Sequence, residues 1–259
     1  MVSIRFNRPA VAGLVAGLVL QAAPALAQSP GSRAAGMADA FVAVADDATS
    51  VYWNPAGMAT GALFSLVVDY GEGRGHGDGP PGAPGRGETD ARFIGFTIPP
   101  LGIAYYRLHR AVAVPERPAG TGVPDREDER RGVRGLTTTH IGATLAQSLG
   151  DAVVVAGTFG LLRGGVSQAV VRAPDDESAI GLAEGAVHES TRFGIDAGVM
   201  VTHGAWRAGL VARNLTTPSF DGPEPDRDPV RLAREVRVGG AWGAGWPACR
   251  GWWSRRMPT

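Results

Sequence analysis

Lysine is absent from this chain: all 25 basic residues are arginine, and 25 acidic residues balance them to a formal net charge of zero. A balanced chain offers no electrostatic case for a nucleic-acid partner, which requires a basic stripe. Arginine-only usage reads as coding bias in GC-rich DNA. Cysteine is almost absent, and the lone Cys249 excludes an internal disulfide and a cysteine-rich zinc site. Past the N-terminus no apolar run approaches the ~20 residues of a spanning helix. A mature chain in a membrane would therefore have to cross it as strands. His76, His140, His188 and His203 lack metal-ligand spacing, and Gly71 to Gly79 lacks the Lys-Ser/Thr of a phosphate loop. No Ser-His-Asp or Cys-His set stands out. Neither an enzyme nor a cofactor is expected.

What is present begins with an export signal over residues 1–27. Arg5 and Arg8 give a positive start, Ala10 to Leu20 a short apolar core, and Ala25-Leu26-Ala27 a small-residue cleavage site. From Ala62 onward, apolar runs alternate with stretches rich in Gly (38 residues) and Pro (19 residues). The runs are Leu63–Tyr70, Arg92–Ile98, Leu101–Leu108, Leu136–Leu149, Ala152–Leu162, Thr191–Thr202, Ala205–Asn214 and Glu235–Gly243. Pro99-Pro100, Gly150-Asp151 and His203-Gly204 are tight turns. Gly71–Gly87, Ala111–Val133 and Gly164–His188 read as long loops. Short turns at one end and long loops at the other are the asymmetry of outer-membrane barrels.

Period-2 alternation inside the runs is the stronger signal. In Thr191–Thr202, Phe193, Ile195, Ala197, Val199 and Val201 fall on one face, and Arg192, Asp196 and glycines on the other. Trp206, Ala208, Leu210 and Ala212 likewise oppose Arg207 and Arg213, and Val236, Val238 and Trp242 oppose Arg237. A barrel would turn the apolar set to lipid and Arg192, Asp196, Arg207, Arg213 and Arg237 to the lumen, pairing there or lining a solute path. A soluble β-sandwich has the same period with the faces reversed in meaning. The expected fold is all-β, an antiparallel transmembrane barrel.

Residues 31–59, GSRAAGMADAFVAVADDATSVYWNPAGMA, resemble the N-terminal segment of FadL-like outer-membrane proteins. That group includes PorV-like secretion-accessory barrels and TraF-like plasmid-transfer proteins. Asn214-Leu215 after an apolar strand also resembles a recurrent ending in these barrels. The resemblance implies a plug (residues 28–61) inside a barrel (62–243), with Asp46, Asp47, Trp53, Asn54, Pro55 and Gly57 as the plug or gating motif. It further implies passive uptake of hydrophobic or amphipathic small molecules, or an accessory role holding a secretion-system protein; outer-membrane lipid is a partner in either case. The residues themselves supply a cap: Asn54 precedes Pro55 at the first helical position, and Gly57 and Gly61 limit the helix to a turn or two. Asp46 and Asp47, beside Thr49 and Ser50, suit a turn better than acid–base work.

The last stretch, residues 244–259, loses the alternation and carries Trp246, Trp252 and Trp253. Back-translated with G/C-ending codons and shifted by one base, it reads as a turn and a β-strand. The expectation is a frame change that truncates a larger barrel near Gly243, because eight strands alone fill their own interior and leave no room for a plug.

Overall fold

The computed structural model describes residues 29–77, 85–115, 130–183, 187–222 and 229–243. The expected export signal at residues 1–27, Cys249 and the tail at 244–259 lie outside them. Eight strands build one antiparallel sheet: β1 (Ser65–Gly77), β2 (Gly85–Ile98), β3 (Leu101–Pro115), β4 (Arg130–Leu149), β5 (Val153–Arg172), β6 (Val187–His203), β7 (Trp206–Arg213) and, after a short β8 (Ser219–Phe220) and β9 (Val230–Arg231), β10 (Glu235–Trp242). Their order is β1-β2-β3-β4-β5-β6-β7-β10, so the sheet is a meander whose two edges are β1 and β10. β8 and β9 pair only with each other. The fold is all-β, with three short α-helices among the described residues, α1 (Ser32–Gly36), α2 (Ser50–Trp53) and α3 (Asp176–Ala183), and one 3-10 turn (Pro55–Thr60).

Alternation decides which face is covered. Apolar residues of one parity stand uncovered, Val68 at 72% and Val238 at 76% exposure among them. Residues of the other parity lie beneath the N-terminal segment, including Ala104, Tyr106, Val154, Met200 and Val211. That segment reaches both edges. Asp69 of β1 accepts from the Gly31 and Ser32 amides, and Gly239 of β10 abuts Ala43. A sheet of eight strands with one short segment touching its first and last members must curl around that segment.

The turns fall where the sequence places them, and Gly150 (φ 71°) and Gly204 (φ 57°) supply the left-handed backbone that tight reversals need. The long loops do not. Strand pairing runs into all three stretches: β1 continues to Gly77 and β2 begins at Gly85, β3 reaches Pro115 and β4 begins at Arg130, and β5 extends to Arg172. The reason is physical. Beyond the apolar zone Gly, Thr, Arg and Glu are interspersed with Ala and Val on both faces of the ladder, so hydropathy loses its period while backbone pairing continues unbroken. Within Gly164–His188 the chain also forms α3, on the face opposite the N-terminal segment. There Ala179, Ile180 and Ala183 pack on Ala111, Ala113 and Val133.

Candidate functional site

The site is the covered face, and the N-terminal segment is its centre. Phe41, Trp53, Met58 and Asn54 are almost wholly buried. Trp53 donates from Nε1 to the Pro30 carbonyl (2.8 Å) and meets the rings of Phe41 and Tyr52 edge-on. Burying one such ring contributes about 3 kcal/mol. Asn54 caps the 3-10 turn, its Oδ1 accepting from the Ala56 amide (3.2 Å), with Pro55 at the first position. Its Nδ2 donates to the Val42 carbonyl (3.1 Å) and to the Val199 carbonyl of β6 (3.1 Å). One amide thus ties two parts of the plug segment to the sheet.

Close approach explains the glycines around Asn54. A Cβ on Gly57 would fall inside the Ala45 carbonyl, and one on Gly198 would overlap Asn54 Oδ1 and Pro55. A Cβ on Gly209 would press on the Val42 carbonyl and Asn54 Nδ2. Asp46 and Asp47 both accept from Arg33 Nη1, at 2.8 and 2.6 Å, and Asp47 also accepts from the Thr49 amide and hydroxyl. They close a turn, as their neighbours suggest. The partners are partly exposed, so this clamp contributes less than about 1 kcal/mol per pair.

Arg213 forms the second knot. Its guanidinium lies 3.9 Å from the Tyr52 ring centre, its Nη2 donates to Tyr106 Oη (3.2 Å), and its Nε stands 3.8 Å from Asp196. Tyr106 in turn stacks on His140 at 4.3 Å. Arg237 holds Glu235 through two hydrogen bonds (2.6 and 2.9 Å) and lies over Trp53 and Tyr52. Arg207 is buried on the same face near the short turns. Arg192 stands apart, reaching Asp221 at 3.5 Å. The structure therefore brings Asp196, Arg213 and Arg237 together with Trp53, while Arg192 and Arg207 sit at opposite ends. Tyr52 and Tyr106, which alternation alone offers no reason to select, join these charges to the N-terminal segment.

Higher on the covered face, Phe220 of the β8–β9 pair packs on Leu162 and Val166. A cavity of about 20 Å³, room for one water, lies among Val51, Tyr106, His140, Thr158 and Asp196. The charged groups here are engaged with aromatic rings and with each other, an arrangement that fixes the N-terminal segment on the sheet. Among the described residues no group of three or more His, Cys, Asp or Glu could hold a metal ion, and no helix is long and apolar enough to cross a membrane.

Residues 119–251, just over half the chain, match the family described as F plasmid transfer operon, TraF, protein. The match takes in β4 to β10 and leaves out the N-terminal segment, so it is independent of the motif at residues 31–59. No curated protein and no solved structure matches the chain.

Proposed function

The chain belongs to the family of the F plasmid transfer operon protein TraF, and from that premise we propose that it is an outer-membrane β-barrel, plugged by its own N-terminus, that acts as an accessory of a transfer or secretion apparatus. The uncovered face of the sheet carries the membrane reading. Across paired strands it runs Val68, Ile94, Tyr105, Ile141, Leu161, Phe193 in one row. Leu66, Phe96, Ile103, Ala143, Phe159 and Ile195 form the next. Val155, Val199, Leu210 and Val238 form a lower one. On β6 the apolar outward residues run from Phe193 to Val201, nine positions, the length a tilted spanning strand needs (~9–11 residues). Paired Trp206 and Trp242 mark the lower border, and Tyr70 and Tyr105 the upper, as interface girdles do. In water so large an apolar face would be a liability.

Open edges cannot stand in lipid, where every backbone group needs a partner. The reading therefore requires β1 and β10 to be paired by further strands. The export signal and the FadL- and PorV-like motif at residues 31–59 agree with outer-membrane placement. The filled interior and the family description together favour an accessory that holds a protein partner over an open pore. Uptake of a hydrophobic or amphipathic small molecule is the second reading, favoured by the plug motif, and it requires the segment around Asn54 to move.

Deleting the gene in its own strain separates the two. An accessory role predicts a drop of at least about tenfold in plasmid transfer or in secreted protein (a tenfold effect is ~1.4 kcal/mol), with normal growth on long-chain fatty acids or aromatics. Uptake predicts the reverse. A strain with neither defect sinks both readings.

A further inference from the structure

Directly above the apolar band, the uncovered face carries a row of different chemistry: Tyr70, Arg92, Arg107, Thr139, Arg163 and Thr191, paired strand to strand. Within it the surface opens into a groove of about 740 Å³. Tyr105, Ile141 and Leu161 form its apolar floor at the top of the band, and Arg107, Thr139 and Arg163 its polar wall. Arg107 and Arg163 flank Thr139 from strands on either side, so their Cα atoms stand ~10 Å apart. Two guanidiniums at that spacing can converge on one anion. Arg163 shares an ion pair with exposed Glu189, while Arg107 has no ion-pair or hydrogen-bond partner among the described residues. Above the groove, α3 packs on the same face, and its acidic residues are engaged: Asp176 with Arg131 (3.1 Å) and Glu177 near Arg74 (3.8 Å). The groove therefore lies between hydrocarbon and a helical shelf, with its positive charge open to the side.

We propose that this groove binds a phosphorylated membrane lipid of the leaflet on the long-hairpin side, its phosphate bridging Arg107 and Arg163 and its acyl chains lying along Tyr105, Ile141 and Leu161. The proposal rests on the membrane reading, and two features select a lipid over a free anion. The arginines stand at the border of the apolar band, where a headgroup sits, and the groove floor continues into that band without a polar break. Arginine suits the task because its planar fork meets phosphate oxygens in pairs.

The test uses the full chain folded into phosphatidylcholine vesicles, plain or doped with lipid A or with its dephosphorylated form. Flotation of the protein with plain vesicles, and its resistance to alkaline extraction, is read first. In the doped vesicles, binding is followed through a fluorescent lipid A. Retention of lipid A over the dephosphorylated form is expected, unaffected by millimolar inorganic phosphate. The Arg107→Gln/Arg163→Gln protein should hold lipid A at least about tenfold more weakly, since charge-assisted hydrogen bonds are at stake. Glu189→Gln, which releases Arg163, should hold it more tightly, a gain that misfolding cannot mimic. Failure to enter plain vesicles, whether singly or with the β1 and β10 edges paired between copies, removes the membrane reading and the proposal with it. Entry without discrimination between the two lipid A forms, displacement by inorganic phosphate, or variants that bind as the parent does would overturn the groove alone.

Discussion

Asn54 concentrates the attachment of the N-terminal segment in one side chain, with three hydrogen bonds spanning Val42, Ala56 and Val199. Asn54→Ala strands buried backbone groups on both sides and is expected to cost about 3 kcal/mol. Limited proteolysis would show it as faster cleavage within residues 31–60; cleavage at the parental rate would remove Asn54 from that role. Gly198→Ala attacks the same contact from the wall, where the added methyl meets Asn54 Oδ1 and Pro55, and about 2 kcal/mol is expected in a urea midpoint. Asn54-Pro55 was legible from sequence because a cap and its helix are adjacent in the chain. The Arg213 knot was not. Tyr106 and Arg213 are 107 residues apart, and alternation shows which face Arg213 occupies without showing which ring it meets.

At the scale of elements, hydropathy located the strands and missed their upper halves. Leu101–Leu108 was expected and Leu101–Pro115 is found, because the apolar signal ends where the band ends and the ladder continues. Helix α3 had a readable signal that was passed over: Asp175, followed by Asp176 and Glu177, is an acidic N-terminal start. Asp175 accepts from the Ser178 amide (2.7 Å), and that hydrogen bond holds its carboxyl below the usual carboxylate range. A depressed carboxylate stabilises the fold above its unfolded value, and the benefit is lost as pH falls through the folded one. Amide protection in residues 176–183, taken relative to the intrinsic exchange rate at each pH, is therefore expected to fall only in acid, at the low end of the carboxylate range. Asp175→Ala should show that reduced protection already at neutral pH, as faster exchange than the parent at the same pH. Equal rates for the two proteins at neutral pH would exclude the cap.

For the whole molecule, the testable quantity is the height of the apolar band. Trp206 and Trp242 stand at its lower border, exposed at 64% and 69%, while Trp53 is buried on the other face. In bilayers whose lipids carry bromine near the headgroup, a protein retaining only Trp206 and Trp242 should be strongly quenched, and one retaining only Trp53 should not. Equal quenching of both would contradict the two-sided arrangement. The sequence disclosed the all-β class and the two faces, since period 2 is local. It did not disclose how eight strands make room for a plug. An eight-stranded barrel closed on itself has no such room; here β1 and β10 do not pair with each other, and the N-terminal segment reaches both.

The segment that spans those edges also sets an order of events. Asn54 and its partner Val199 are separated by 145 residues, and Ala43 meets β10 only at Gly239. The first part of the chain to be synthesised is thus among the last to find its neighbours. Contacts of such long range make folding slow, and until β6 and β10 are laid down Tyr52 can meet Tyr106 of β3 while Trp53 still lacks Arg237 of β10. During that interval the unfinished N-terminal segment leaves aromatic surface open to other chains, the condition from which aggregation starts.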